Sequence, residues 1–225
     1  MKVAIHQPNY LPYLGYFKKM QECDMFVYLD DCQFSNNQFH HYNKINTEKG
    51  PVTLKVPVIY HFGDKIKDVK IDNSKNWRDK HIYEIAMAHY MDFDFYELRE
   101  IAEIIGKEQE YLADLNIKLI ESIKKGFGIK CETIRSSELG IESTSQQRII
   151  DICKKLGADT YLSGNGAKAY QVDEEYEKNG ITIEYVKPYD EEYVKAGYKI
   201  GKGNYEPNMS VVDYIANGGY IWGIQ

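Results

Sequence analysis

The chain has 225 residues, 28 lysines and arginines against 34 acids, and a formal charge of −6. That length can bury a sizeable core, and the acidic balance argues against a nucleic-acid binder, which would carry a basic stripe. No run of eighteen apolar residues occurs, so no membrane-spanning helix is expected.

Val3-Ala4-Ile5 reads as a buried strand that stops at the polar, aromatic cluster His6-Gln7-Pro8-Asn9-Tyr10. An amphipathic helix is expected from about Tyr13, then a second strand, Met25 to Leu29, ending in Asp30-Asp31. Residues 38–72 hold the strand-like runs Val52 to Val58 and Ile66 to Ile71 around His61-Phe62-Gly63-Asp64, which predicts an inserted antiparallel hairpin. A helical segment follows over about 74–126, with helices at Trp77–Tyr90, Phe95–Ile105 and Glu108–Lys125. The α/β alternation then returns. Strands are expected at Lys130–Arg135, Asp159–Leu162 and Ile181–Val186, and a helix at Gln146–Leu156 capped by Ser143-Thr144-Ser145. A last helix runs to Ala216, with Ser210 as its cap and Asp213 completing a capping box. The expected fold is α/β: an open, mostly parallel, Rossmann-like sheet with an inserted β-hairpin and a helical segment, in one domain over residues 1–225.

In open α/β sheets ligands bind beyond the carboxyl ends of the strands. His6, Gln7, Asn9, Asp30, Asp31 and Gln33 sit at two such ends and form the leading candidate constellation. His6 can act as a general base, and a carboxylate can orient it or take an amine proton. Adjacent Asp30 and Asp31 point to opposite sides if the strand continues, so one of them at most shares a cleft with His6. The loop with His40, His41, Asn43 and Lys44 offers hydrogen bonds to a polar ligand. No metal is expected there, because no ligand lies at usual spacing.

Arg78, Lys80 and His81 open a helix, a place that favours anions. Ser163-Gly164-Asn165-Gly166 follows a buried strand, and two glycines at this spacing allow close backbone approach or an anion-binding nest, with Tyr170 and Gln171 nearby. It is neither a P-loop nor the dinucleotide fingerprint, and the surroundings of Ser163 do not suit a Ser-His-Asp hydrolase. The cysteines Cys23, Cys32, Cys131 and Cys153 are widely spaced, which argues against a zinc or disulfide framework. With no signal-peptide pattern, the chain reads as cytoplasmic.

The segments HQPNYLPYLGYF, FVYLDDCQF, WRDKH, LGADTYLSGNGAKAYQ and PNMSVVDYI, in that order, resemble the WbqC-like family from Lys2 to about Gly218. The chain departs at Cys32, where valine is more usual, and at Phe39-His40-His41-Tyr42, where an arginine is lost that Lys44 can replace. The resemblance implies a cytosolic bacterial protein of surface-polysaccharide (O-antigen-like) synthesis. It implies a transferase that places glycine or another acyl group on the amino group of a nucleotide-linked sugar. On this reading His6, Asp30 or Asp31 is the base. Gln7, Asn9, Tyr10, Gln33 and the amides near Gly164 hold the substrate, and Tyr170 stacks on a base or sugar. The partners are then a nucleotide-activated amino sugar and an activated acyl donor, a carrier-protein thioester or CoA, with no cofactor. Two alternatives stand beside it. One is an ATP·Mg²⁺-dependent ligase of HUP-like type, weakened by the absence of a second histidine of the usual pair. The other is a non-catalytic sugar- or nucleotide-binding module.

Overall fold

The structure, a computed structural model, describes residues 1–47, 49–88, 96–169, 171–187 and 208–216. Strands β1 (Lys2–His6), β2 (Met25–Tyr28), β7 (Glu132–Arg135), β8 (Thr160–Ser163) and β9 (Thr182–Tyr185) form one parallel sheet in the order β7-β2-β1-β8-β9. Their side chains alternate between two cores. Ala4, Phe26, Tyr28 and Leu162 face one core, and Val3, Ile5, Val27 and Tyr161 face the other. Helices α1 (Leu14–Gln21) and α4 (Leu112–Gly126) cover the first face, through Phe17 and Met20 and through Leu115, Leu119 and Ile123. Helices α5 (Ser145–Leu156) and α6 (Asp173–Lys178) cover the second, through Ile150, Cys153 and Tyr176. The sheet is doubly wound, and its strand order reverses between β1 and β8.

The crossover from β2 to β7 holds the insertion, where the predicted antiparallel hairpin forms across His61-Phe62-Gly63-Asp64 and a second small pair precedes it. Two small antiparallel pairs form: β3 (Tyr42–Ile45) with β4 (Val52–Lys55), and β5 (Val58–Ile59) with β6 (Lys70–Ile71). The run from Val52 to Val58 is split at Pro57, which has no N–H to continue a ladder. The start of the second run, Ile66–Asp68, is a 3-10 turn. Helices α2 (Arg78–Ala88) and α3 (Tyr96–Gly106) then precede α4, which starts four residues later than its pattern suggests, with Tyr111 as N-cap.

The last helix, α7 (Val211–Ala216), also differs from the expected capping box. Ser210 Oγ accepts from the Val212 N–H at 3.3 Å, as a cap does, but the Ser210 N–H donates to the Lys44 carbonyl. The Asp213 carboxylate accepts from the Asn46 N–H at 2.9 Å and so ties α7 to the insertion. Among the described residues no helix is long and apolar enough to cross a membrane.

Candidate functional site

The chain from His6 to Tyr13 runs from β1 into α1, and its two ends, His6 and Tyr13, line a cleft. Its shape is held from outside. Asn43 Nδ2 donates to the carbonyls of Tyr10 (3.3 Å) and Leu11 (2.7 Å), and Asn116 Nδ2 donates to those of Pro8 (2.8 Å) and His40 (2.7 Å). Buried Leu11 takes a left-handed conformation, φ 42°. For a leucine that costs of order 1–3 kcal/mol and persists only where the surroundings over-determine it. The Val211 N–H donates to the Pro12 carbonyl and docks α7 against the same loop.

The cleft, about 490 Å³, opens where the strand order reverses. His6 stands on one side, and the turn Gly164-Asn165-Gly166 after β8 stands on the other. The register Ala4↔Leu162, continued by two residues, sets His6 level with Gly164. Gly164 has extended backbone, φ −77° and ψ 145°, and leads into the 3-10 turn Asn165–Ala167, so the predicted nest does not form. A Cβ at Gly164 or Gly166 would meet nothing within 4 Å, which leaves the turn bare toward the open space.

His6 is partly buried with its ring edge-on to Tyr16 at 4.8 Å. Its Nδ1 lies 3.1 Å from the Gln7 carbonyl. A carbonyl only accepts, so Nδ1 carries the proton and Nε2 is the basic atom of the ring. Burial, with help from the Lys19 charge, pushes the imidazole down to about 3. His6 is therefore neutral at physiological pH, an acceptor from the outset.

The other predicted residues are placed elsewhere. Asp30 and Asp31 turn away from β1 toward β7. Asp30 is 0% exposed and accepts from the Ser137 N–H (3.0 Å), Ser137 Oγ (2.8 Å) and Ser136 Oγ (3.3 Å), with Arg135 at 3.9 Å. Asp31 pairs with Arg148 of α5 and accepts from Ser136 Oγ. The register Tyr28↔Arg135 explains this, because two residues further on Asp30 comes level with Ser137. Both carboxylates thus fasten β2 to β7 and α5, and neither lines the cleft.

Gln7 bridges Cys32 Sγ (3.2 Å) and His40 Nε2 (3.1 Å). Asn9 is buried, and Tyr10 Oη meets His81 Nδ1 at 2.9 Å. His81 consequently faces inward, and burial pushes it down to about 4. Arg78 binds Asn73 and lies over the Trp77 ring, while Lys80 is exposed. Gln33 and Lys44 are exposed as well. The start of α2 is therefore not brought to the cleft. Buried Ser163 donates to Gln171 Oε1 at 2.9 Å, and Tyr170 lies outside the described residues.

Two residues of consequence go unnoticed in the sequence. Arg148 looks like one more charge on an amphipathic helix, and nothing local marks it as the partner of Asp31. Lys19 lines the cleft yet is buried, with Nζ donating 2.7 Å to the Ile5 carbonyl. Its signal was present, since Lys18-Lys19 interrupts the apolar residues Tyr16, Phe17 and Met20 of a short helix. Among the described residues no cluster of three or more histidines, cysteines or acids could hold a metal ion.

The chain is 29% identical to a Mycobacterium tuberculosis protein, Rv1507c, itself described as uncharacterized, over 97% of this chain and 94% of that protein. No solved structure matches the chain. Residues 7–220, which include His6's neighbour Gln7, the turn after β8 and α7, match the WbqC-like protein family. The chain belongs to that family.

Proposed function

We propose that the cleft is the active site of an amide-forming acyl- or aminoacyltransferase. The acceptor is the amino group of a nucleotide-linked sugar, glycyl is a candidate for the transferred group, and surface-polysaccharide synthesis is the setting. The observation that carries this reading is His6, a neutral imidazole of fixed tautomer at the strand-order reversal, facing a bare glycine turn. Amide formation needs such a base. The sugar nitrogen attacks the acyl carbon of a carrier-protein or CoA thioester and forms the C–N bond. His6 Nε2 takes the amine proton, the C–S bond breaks, and the proton passes to the leaving thiolate. The bare turn leaves room for the sugar nucleotide against the backbone.

A second reading keeps a nucleotide in the same cleft, because sheets with this order of strands bind nucleotides where the order reverses. There a carboxylate displaces pyrophosphate from ATP·Mg²⁺, and the amine then displaces AMP. The test is a thermal-shift panel with UDP- and dTDP-amino sugars, acyl-CoAs and ATP·Mg²⁺, followed by mass spectrometry of the reaction mixtures. A ligand at a hundred times its Kd adds about 2.7 kcal/mol of stability. The transferase reading expects stabilisation by nucleotide amino sugars and an N-acylated product that requires the activated donor. Product that appears only with ATP, together with pyrophosphate, would put the ligase in its place. Binding without product under any donor would leave a binding module.

A further inference from the structure

The lining of the cleft carries His6, Lys18, Lys19 and Lys187 and, among the described residues, no aspartate or glutamate. In a chain of charge −6 that is a local reversal of sign. Lys18 is paired with Glu22 at 3.1 Å. Among the described residues Lys19 has no such partner: it is 4% exposed, and Nζ donates to the Ile5 carbonyl. Among the described residues the ionisable groups around it are His6 from β1, Tyr13 before its helix, Tyr16 and Lys18 from that helix, Cys23 beyond it, Tyr161 from β8 and Lys187 beyond β9. None is an acid of ordinary strength. A buried ammonium with one carbonyl for company is an expensive arrangement for a fold to keep, and burial pushes its pKa down to about 8.

We infer that the cleft holds its ligand by a phosphate or diphosphate group seated on the Lys19 ammonium, with Lys187 on the opposite wall. The ligand then supplies the negative charge that the described lining lacks. This rests on reading the cleft as the active site and adds to it which part of the substrate is anchored: the diphosphate sits at Lys19, and the sugar extends toward His6. It also links binding to chemistry. Burial first, and the Lys19 charge after it, hold the His6 imidazole down, so an anion that cancels that charge makes His6 a stronger base when substrate is present.

The test is calorimetric titration of the full chain, without divalent cations, with inorganic pyrophosphate, UDP, ATP and uridine. Wild type, Lys19→Met and Lys19→Arg are compared. Pyrophosphate and UDP are expected to bind and uridine is not. Lys19→Met should weaken both anions roughly thirtyfold or more, and Lys19→Arg should keep most of the affinity. Saturating pyrophosphate should shift the His6 ring-proton resonances of the wild-type protein at pH 7, followed by NMR. Equal affinity in Lys19→Met, uridine binding as tightly as UDP, or His6 ring resonances unmoved by saturating pyrophosphate at pH 7 would each overturn the inference. The NMR arm decides even if Lys19→Met does not fold. ATP binding tighter than UDP assigns the same anion site to the ligase's nucleotide. Lys19-dependent pyrophosphate binding with no amide product from any donor would keep this site and remove the transferase. Amide synthesis with an unchanged KM in Lys19→Met would do the reverse.

Discussion

Three ionisable residues at the ends of β1 and β2 look equivalent in the sequence and have different fates. His6 keeps a basic nitrogen beside open space, and its replacement removes a proton acceptor without emptying a core. His6→Ala is expected to lower kcat by about 10²–10⁴ while near-ultraviolet circular dichroism stays that of the wild type. Unchanged turnover would take His6 out of the chemistry. Asp31 is the opposite case, because its loss strands Arg148 in a largely buried site. Removing one partner of a buried pair costs about 3–5 kcal/mol, so Asp31→Ala should show a much lower urea midpoint with activity per folded molecule retained. A variant with normal stability and no activity would return Asp31 to the mechanism. The sequence could not separate these residues. That a carboxylate stands at the end of β2 is local information; whether it looks toward β1 or β7 depends on which residues the distant strand brings level with it.

The elements themselves were largely legible. β1, β2 and β8 are visible as short apolar runs closed by polar residues, β7 and β9 as short mixed runs, and the amphipathic helices from their spacing. What escaped was tertiary. The loop from Gln7 to Pro12 has no regular structure, and its shape is held by Asn43 and Asn116, two side chains far along the chain. Asn43→Leu would leave the Tyr10 and Leu11 carbonyls without their donor, at about 1–3 kcal/mol, and would release the strained Leu11. The expected result is a lower melting temperature together with weaker ligand binding, since this loop joins His6 to Tyr13, which both line the cleft. If binding is unchanged in the folded variant, the wall does not depend on the clamp. At the opposite wall, Gly164→Val should behave in reverse. Its backbone suits valine and a Cβ meets no protein atom within 4 Å, so the melting temperature should hold while the added methyls enter the cleft and raise Kd. An equal Kd would place the ligand away from the turn.

At the scale of the whole molecule, loss of α/β alternation between residues 38 and 126 marked the insertion correctly as something outside the sheet, but not how it is secured. Much of its attachment is histidine packed without charge. His40, His41 and His81 are each pushed by burial down to about 4, and His6 to about 3. Unfolded, each would take a proton near 6.5, so the native state binds fewer protons than the unfolded one between those values. Stability is therefore fully present above about pH 6.5 and is lost as pH falls toward 4. The loss is on the order of 1 kcal/mol per histidine between pH 7 and 5.5. Urea unfolding at pH 7.5, 6.5 and 5.5 checks this, and a midpoint that holds steady to pH 5.5 would contradict it.

The strand order has one more consequence, for how the protein is made. β1 lies in the middle of the sheet and must pair with β2 on one side and β8 on the other. Its first neighbour follows within a few tens of residues, but roughly 150 residues separate His6 from Thr160. At about 5–20 residues per second, the ribosome leaves one edge of the central strand open for roughly 8–30 s. Throughout that interval Val3, Ala4 and Ile5 offer unpaired backbone to any other extended chain, so the cleft is completed only when the strand that closes this exposed edge arrives.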